Sequence, residues 1–158
     1  MVSKKSFPVV NINYSNKKEI KRPSWDEYFL TIAEVVAKRS YDGETQVGVV
    51  VTDENHRILA TGYNGFPPGC KDAELPNLRP DKYPFVVHAE INAIAASRQD
   101  LRNSILYCTY SPCRDCAKAI ITAGIKEVVF KIAYENDDYE FMLKFLRSCG
   151  VKVRQYQF

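Results

Sequence analysis

The spacing of apolar residues changes along this chain, and each change marks an element. Up to about residue 22 there is no clear period. Phe29, Ile32, Ala33, Val36 and Ala37 then recur at helical spacing. Ser24 with Glu27 three residues later forms a capping box, in which each side chain satisfies an end amide. The pattern predicts a helix to about Ser40 and a turn over Tyr41-Asp42-Gly43-Glu44. Val47 to Val51 is a β-branched run bounded by Asp53-Glu54-Asn55, and Arg57 to Gly62 resumes as a strand, so the pair reads as a hairpin. Asn64 to Tyr83 follows as a long loop whose glycines and prolines suit a shaped binding loop. His88 opens a helix to about Arg98, and Asn103 to Tyr110 is a buried strand. Cys113 opens a helix to about Ala123, which Gly124 stops. Lys126 to Ile132 is a strand. Asp137 to Cys149, with Phe141, Leu143, Phe145 and Leu146, is an amphipathic helix stopped at Gly150, and Val151 to Tyr156 is the last strand. The order α-β-β-α-β-α-β-α-β predicts an α/β sheet with parallel crossovers after an initial hairpin.

Composition narrows the class. A chain of 158 residues, 46% hydrophobic and 26% charged, suits one soluble globular domain, here 23–158 behind an arm of 1–22. The arm carries Lys4, Lys5, Lys17, Lys18, Lys21 and Arg22. It reads as solvated, with docking on a neighbouring subunit or contact with phosphate as the sharper alternative. A net charge of +3 is too small for a protein that coats nucleic acid, whereas a small anionic ligand needs only a few local cations. No run reaches the roughly 18 apolar residues of a membrane span. The N-terminus lacks a signal-peptide core, so a cytoplasmic protein is expected.

Five cysteines, two of them in C-x-x-C, with a zinc-type histidine elsewhere in the chain, favour metal-bound thiolates in a reducing compartment over disulfides. His88, Cys113 and Cys116 supply three ligands and no fourth stands out. Structural zinc sites close with four protein ligands, whereas catalytic sites keep one position open. All three belong at helix N-termini, where partial positive charge favours thiolate. Glu90, two residues after His88, can shuttle protons beside the open position; the plainer reading is a helix-start carboxylate. His56 lies in a polar turn and reads as an exposed loop residue rather than a ligand.

His88-Ala89-Glu90 with Pro112-Cys113-Arg114-Asp115-Cys116 resembles the zinc-dependent cytidine deaminase superfamily. T-G-Y-N-G-F-P-P-G-C, Leu75-Pro76 and K-Y-P-F-V-V-H-A-E-I-N-A-I resemble the deoxycytidylate deaminases within it, especially the nucleotide-regulated form. The resemblance implies a three-layer α-β-α fold with a mixed five-stranded sheet and one Zn2+ per subunit. It implies hydrolytic deamination of dCMP to dUMP, supplying thymidylate synthesis, with Glu90 moving the protons. Asn64 would hydrogen-bond substrate near base and sugar, although Asn-Gly is also a turn dipeptide. The N–H of Ala89 and the C=O of Ser111 would fix the pyrimidine edge. Tyr134 would meet base or phosphate, unless it is ordinary packing. The resemblance also implies a homo-hexamer, activated by dCTP and inhibited by dTTP through Gly62, Tyr63, Gly65 and Phe66, with Mg2+ accompanying the effector. The long loop offers Cys70 but no histidine for a second zinc. Cys70, Cys108 and Cys149 are then free thiols, the last two core residues. Arg22, Arg39, Arg114 and Lys118 are candidate phosphate cations. The alternatives are a tRNA adenosine deaminase, which should be more basic, a free cytidine deaminase, and a non-catalytic zinc module.

Overall fold

A computed structural model describes residues 16–157, with the side chain of Asp137 left aside. Most of the arm, residues 1–15, lies outside the described residues; 16–22 run exposed without helix or strand. The elements are α1 (Trp25–Ala37), β1 (Gly48–Thr52), β2 (Ile58–Tyr63), α2 (Ala89–Ala96), β3 (Ile105–Tyr110), α3 (Arg114–Thr122), β4 (Glu127–Ile132), α4 (Asp137–Ser148) and β5 (Lys152–Gln155). One short 3-10 turn, Asp72–Glu74, interrupts the long loop.

The five strands form one mixed sheet in the order β2-β1-β3-β4-β5. β1 is antiparallel to both β2 and β3, while β3, β4 and β5 run parallel. Alternation along β1 separates the two faces. Val50 points with Tyr107 and Val129 into Phe29, Leu30 and Ala33 of α1. Val49 and Val51 point the other way, into a larger core built from Ala89 and Ala93, Ala117 and Ile120, and Met142 and Leu146. Because both faces are covered, all five residues of β1 are buried. The result is the three-layer α-β-α arrangement with α1 on one side and α2, α3 and α4 on the other.

Local chemistry sets the boundaries. Ser24 caps α1 by accepting from the Glu27 N–H at 3.1 Å. The helix ends three residues before Ser40, whose hydroxyl instead donates to the Asn64 carbonyl at 2.6 Å. α2 stops two residues short of Arg98, because Ser97 turns extended and its hydroxyl accepts from Gln99.

Cys149 is exposed rather than in the core, since it caps α4 ahead of Gly150 at the open end of the helix. His56 does sit in the β1–β2 turn, at φ +62°, but its ring stacks on Trp25 at 4.1 Å and is only partly exposed.

Two glycines set how closely helices approach the sheet. A Cβ on Gly48 would stand 2.0 Å from the Ala33 carbonyl oxygen, and one on Gly62 would stand 2.4 Å from that of Ala89. Backbone cannot rotate away as a side chain can. Gly48→Ala should therefore cost about 2 kcal/mol or more through overpacking. A thermal melt should show a midpoint several degrees lower.

Candidate active site

The site forms where β3 ends and two helices begin. β3 stops at Tyr110, the Ser111-Pro112 step leaves the sheet, and Cys113 becomes the N-cap of α3. His88 is the N-cap of α2, reached from the long loop just after Val87 bridges to Gly65. N-cap side chains usually bond their own helix. Neither His88 nor Cys113 does, so both are free to face each other. Cys116 lies in the first turn of α3 and is fully buried.

His88 Nδ1 stands 3.3 Å from Cys113 Sγ and 3.4 Å from Cys116 Sγ, and the three donor atoms lie within 4.8 Å of one another. Tetrahedral zinc, with Zn–S of about 2.3 Å and Zn–N of about 2.05 Å, sets N and S roughly 3.6 Å apart. The donor set fits zinc, with Nδ1 as the histidine donor.

Proton placement in this cluster supports the fit. The Cys113 thiol is pulled down to about 4, first by a hydrogen bond from Cys116, with His88 and the Cys116 N–H adding to this against burial. Cys116 is pushed up, by its bond to Cys113 and then by burial. His88 is raised, chiefly by its bond to Cys113. A thiol eased toward thiolate, a thiol that keeps its proton and an imidazole that holds a proton more tightly than usual share one small space, and a divalent cation bound there would displace such protons.

Glu90 follows in the first turn of α2 and is 4% exposed. Burial raises its pKa. Its Oε1 lies 3.9 Å from the Cys108 thiol, and burial likewise keeps that sulfur protonated. A carboxyl lifted toward neutrality is suited to accept and return a proton.

His88, Glu90 and Cys113 open on a cavity of about 400 Å3 that Asn64, Ala89, Ser111 and Tyr134 also line. Ser111 Oγ accepts from the Tyr134 N–H at 2.9 Å, and the Tyr134 ring stacks on Tyr110 at 5.0 Å. Burial raises the Tyr134 phenol. Asn64 is held on three sides: its Oδ1 accepts from the Val47 N–H, and its Nδ2 donates to Thr45 O and Asp42 Oδ2. It therefore forms part of the cavity wall.

Spacing gave no sign of Asp42, Arg79, Lys82 and Tyr110, which also line the cavity. Lys82 is 3% exposed and reaches Asp42 at 2.7 Å and Glu44 at 3.0 Å. These ion pairs tie the long loop to the turn after α1. The candidate cations Arg22, Arg39, Arg114 and Lys118 do not line it. Arg114 instead pairs with Asp138 at 2.5 Å and lies over the Phe141 ring, and Lys118 pairs with Asp115 on its own helix. Gly62, Tyr63, Gly65 and Phe66 are likewise outside the cavity lining, with Gly62 packed beneath α2.

Asp42 gives the site a pH dependence. Burial pushes its carboxyl up, but the Lys82 hydrogen bonds and the N–H groups of Thr45 and Glu44 outweigh this and hold it below the ordinary 3.8. The unfolded chain thus takes up this proton first. The stabilisation is complete above the ordinary value and is lost as pH falls through the folded one. Asp42→Asn should flatten the fall in melting temperature between about pH 5 and pH 2. An equally steep fall in the variant contradicts this.

A three-donor zinc site at two helix N-termini, with a buried glutamate beside it over a mixed five-stranded sheet, defines a zinc-dependent deaminase of the cytidine deaminase fold. The cytidine and deoxycytidylate deaminase zinc-binding region matches residues 23–132, and the chain belongs to that family. A deoxycytidylate deaminase of Pongo abelii is 43% identical over 141 residues, covering 84% of this chain and 79% of the relative. The Homo sapiens deoxycytidylate deaminase is 40% identical over the same shares. The crystal structure of a cyanophage S-TIM5 dCMP deaminase in complex with dCMP and dUMP superposes with a TM-score of 0.73 at 35% identity. It covers 87% of this chain and 100% of that one.

Proposed function

We propose that this chain hydrolytically deaminates dCMP to dUMP. The observation that carries the reading is a cavity lined by His88, Cys113 and Glu90, with Cys116 buried behind it in the same donor cluster. The likeness to deoxycytidylate deaminases, one of them solved with dCMP and dUMP, supports the choice of nucleotide.

His88, Cys113 and Cys116 would hold Zn2+, which when bound lowers the pKa of a coordinated water toward neutrality. Glu90 accepts a proton from the attacking water, passes it to the pyrimidine ring nitrogen, and then serves the departing ammonia. The Ala89 N–H and the Ser111 C=O hold the pyrimidine edge, Asn64 positions the substrate from the cavity wall, and Tyr134 closes against the base.

Product dUMP would feed thymidylate synthesis. A homo-hexamer activated by dCTP with Mg2+, inhibited by dTTP, and using Gly62, Tyr63, Gly65 and Phe66 as effector contacts, remains part of the proposal. Among the described residues no helix is long and apolar enough to cross a membrane.

The test is kcat/KM for dCMP, deoxycytidine and tRNA adenosine, with dCMP also assayed in the presence of dCTP or dTTP. The proposal expects dCMP to be the best substrate, dCTP to raise its turnover and dTTP to lower it. Preference for the nucleoside or for tRNA overturns the choice of substrate. Indifference to both triphosphates overturns the regulation alone.

A further inference from the structure

Two long cationic side chains, Arg79 and Lys82, line the cavity among the described residues, and they are not equivalent. The Lys82 ammonium donates to both oxygens of Asp42, at 2.7 and 2.8 Å, and pairs with Glu44 at 3.0 Å. An ammonium has three donors, so carboxylates already occupy Lys82 fully. Drawing it away would leave Asp42, whose side chain is 4% exposed, as an unpaired buried charge.

Arg79 is held differently. Its side chain is 45% exposed; Nη1 reaches Glu44 at 3.3 Å and Nη2 reaches Thr45 Oγ1 at 3.2 Å, and the guanidinium also lies beside the Tyr83 hydroxyl. Exposed contacts of this kind contribute little and exchange readily. Its backbone N–H is anchored separately, donating to Glu44 Oε2 at 2.7 Å, so the main chain is held independently of the guanidinium. A guanidinium carries five donors in a planar fork that matches phosphate oxygens in pairs.

We infer that Arg79 is the specificity-determining residue for the phosphate of the nucleotide, and that Lys82 is a structural cation that holds the cavity wall. This rests on the monophosphate reading of the substrate. A bound phosphate takes the Arg79 fork from Glu44 and Thr45, while Lys82 continues to neutralise Glu44. Arg79 thereby separates nucleotide from nucleoside without touching the groups that do the chemistry.

Calorimetric titration of the zinc-loaded protein with dUMP and with deoxyuridine tests this without turnover. The wild type should prefer dUMP. Arg79→Gln should weaken dUMP binding about 30-fold or more, leave deoxyuridine within about twofold, and erase the preference; Arg79→Lys should recover part of it. Lys82→Met should lower the melting temperature and keep the preference. A preference that survives Arg79→Gln, or an equal loss for both ligands, overturns the inference while leaving the dCMP reading standing. A wild type that binds dUMP no better than deoxyuridine overturns the monophosphate reading, and the inference with it.

Discussion

Glu90→Gln is expected to abolish deamination while leaving fold and zinc in place. The glutamate side chain is buried and burial holds it toward the neutral form, which an amide of the same shape imitates. The variant should therefore melt near the wild-type temperature. What it loses is the exchangeable proton between water, ring nitrogen and ammonia. General acid–base groups contribute typically 10²- to 10⁴-fold, and one group serving several transfers belongs at the upper end, so a fall of about 10³-fold or more is expected. Zinc content measured on the same sample separates a lost proton carrier from a lost metal. Retained turnover in a zinc-replete Glu90→Gln protein would return Glu90 to the role of a helix-start carboxylate.

The second large effect concerns the metal donors. Cys116→Ala removes one of three donor atoms from a fully buried position in the first turn of α3. Changes to residues that merely support ligands cost about 10- to 100-fold in metal affinity, so losing a ligand should exceed about 10²-fold. Because His88 starts α2 and Cys113 starts α3, the metal would join two helices and raise folding stability by linkage. Adding a chelator should lower the wild-type melting temperature and restoring zinc should reverse this. Cys116→Ala should respond to neither. Cys70→Ser, at an exposed thiol away from the cluster, should behave as the wild type. A wild-type melt indifferent to chelation would remove the metal from the fold's energetics.

The parts of the site that the sequence made legible are those encoded locally. His88, Glu90, Cys113 and Cys116 lie within a few residues of two helix starts, and helix starts carry readable caps, prolines and period changes. The initial hairpin and the later parallel crossovers were legible for the same reason, whereas the strand order was not. What escaped was tertiary. Lys82 meets Asp42 across 40 positions, and Arg79 meets Glu44 across 35, through a loop without periodicity. His56 of the β1–β2 turn stacks on Trp25 at the start of α1, and no spacing rule joins them. Cys149 was misplaced because an amphipathic pattern says which face of α4 is buried but not how near the helix end lies to solvent. Arg114 was plausible by position, and only the packing of α4 beside α3 brings Asp138 to it; the Lys118–Asp115 pair, at i,i+3 on one helix, could have been read from spacing.

The central claim, water-dependent removal of the amine from dCMP at this site, is tested most directly in ¹⁸O-labelled water. Zinc-loaded protein is incubated with dCMP, ammonia is quantified, and the product is weighed by mass spectrometry. The account predicts one ammonia released per dUMP formed, with a single solvent oxygen in the pyrimidine ring carbonyl, and neither product from Glu90→Gln. A zinc-replete wild-type protein that leaves dCMP unchanged would contradict it.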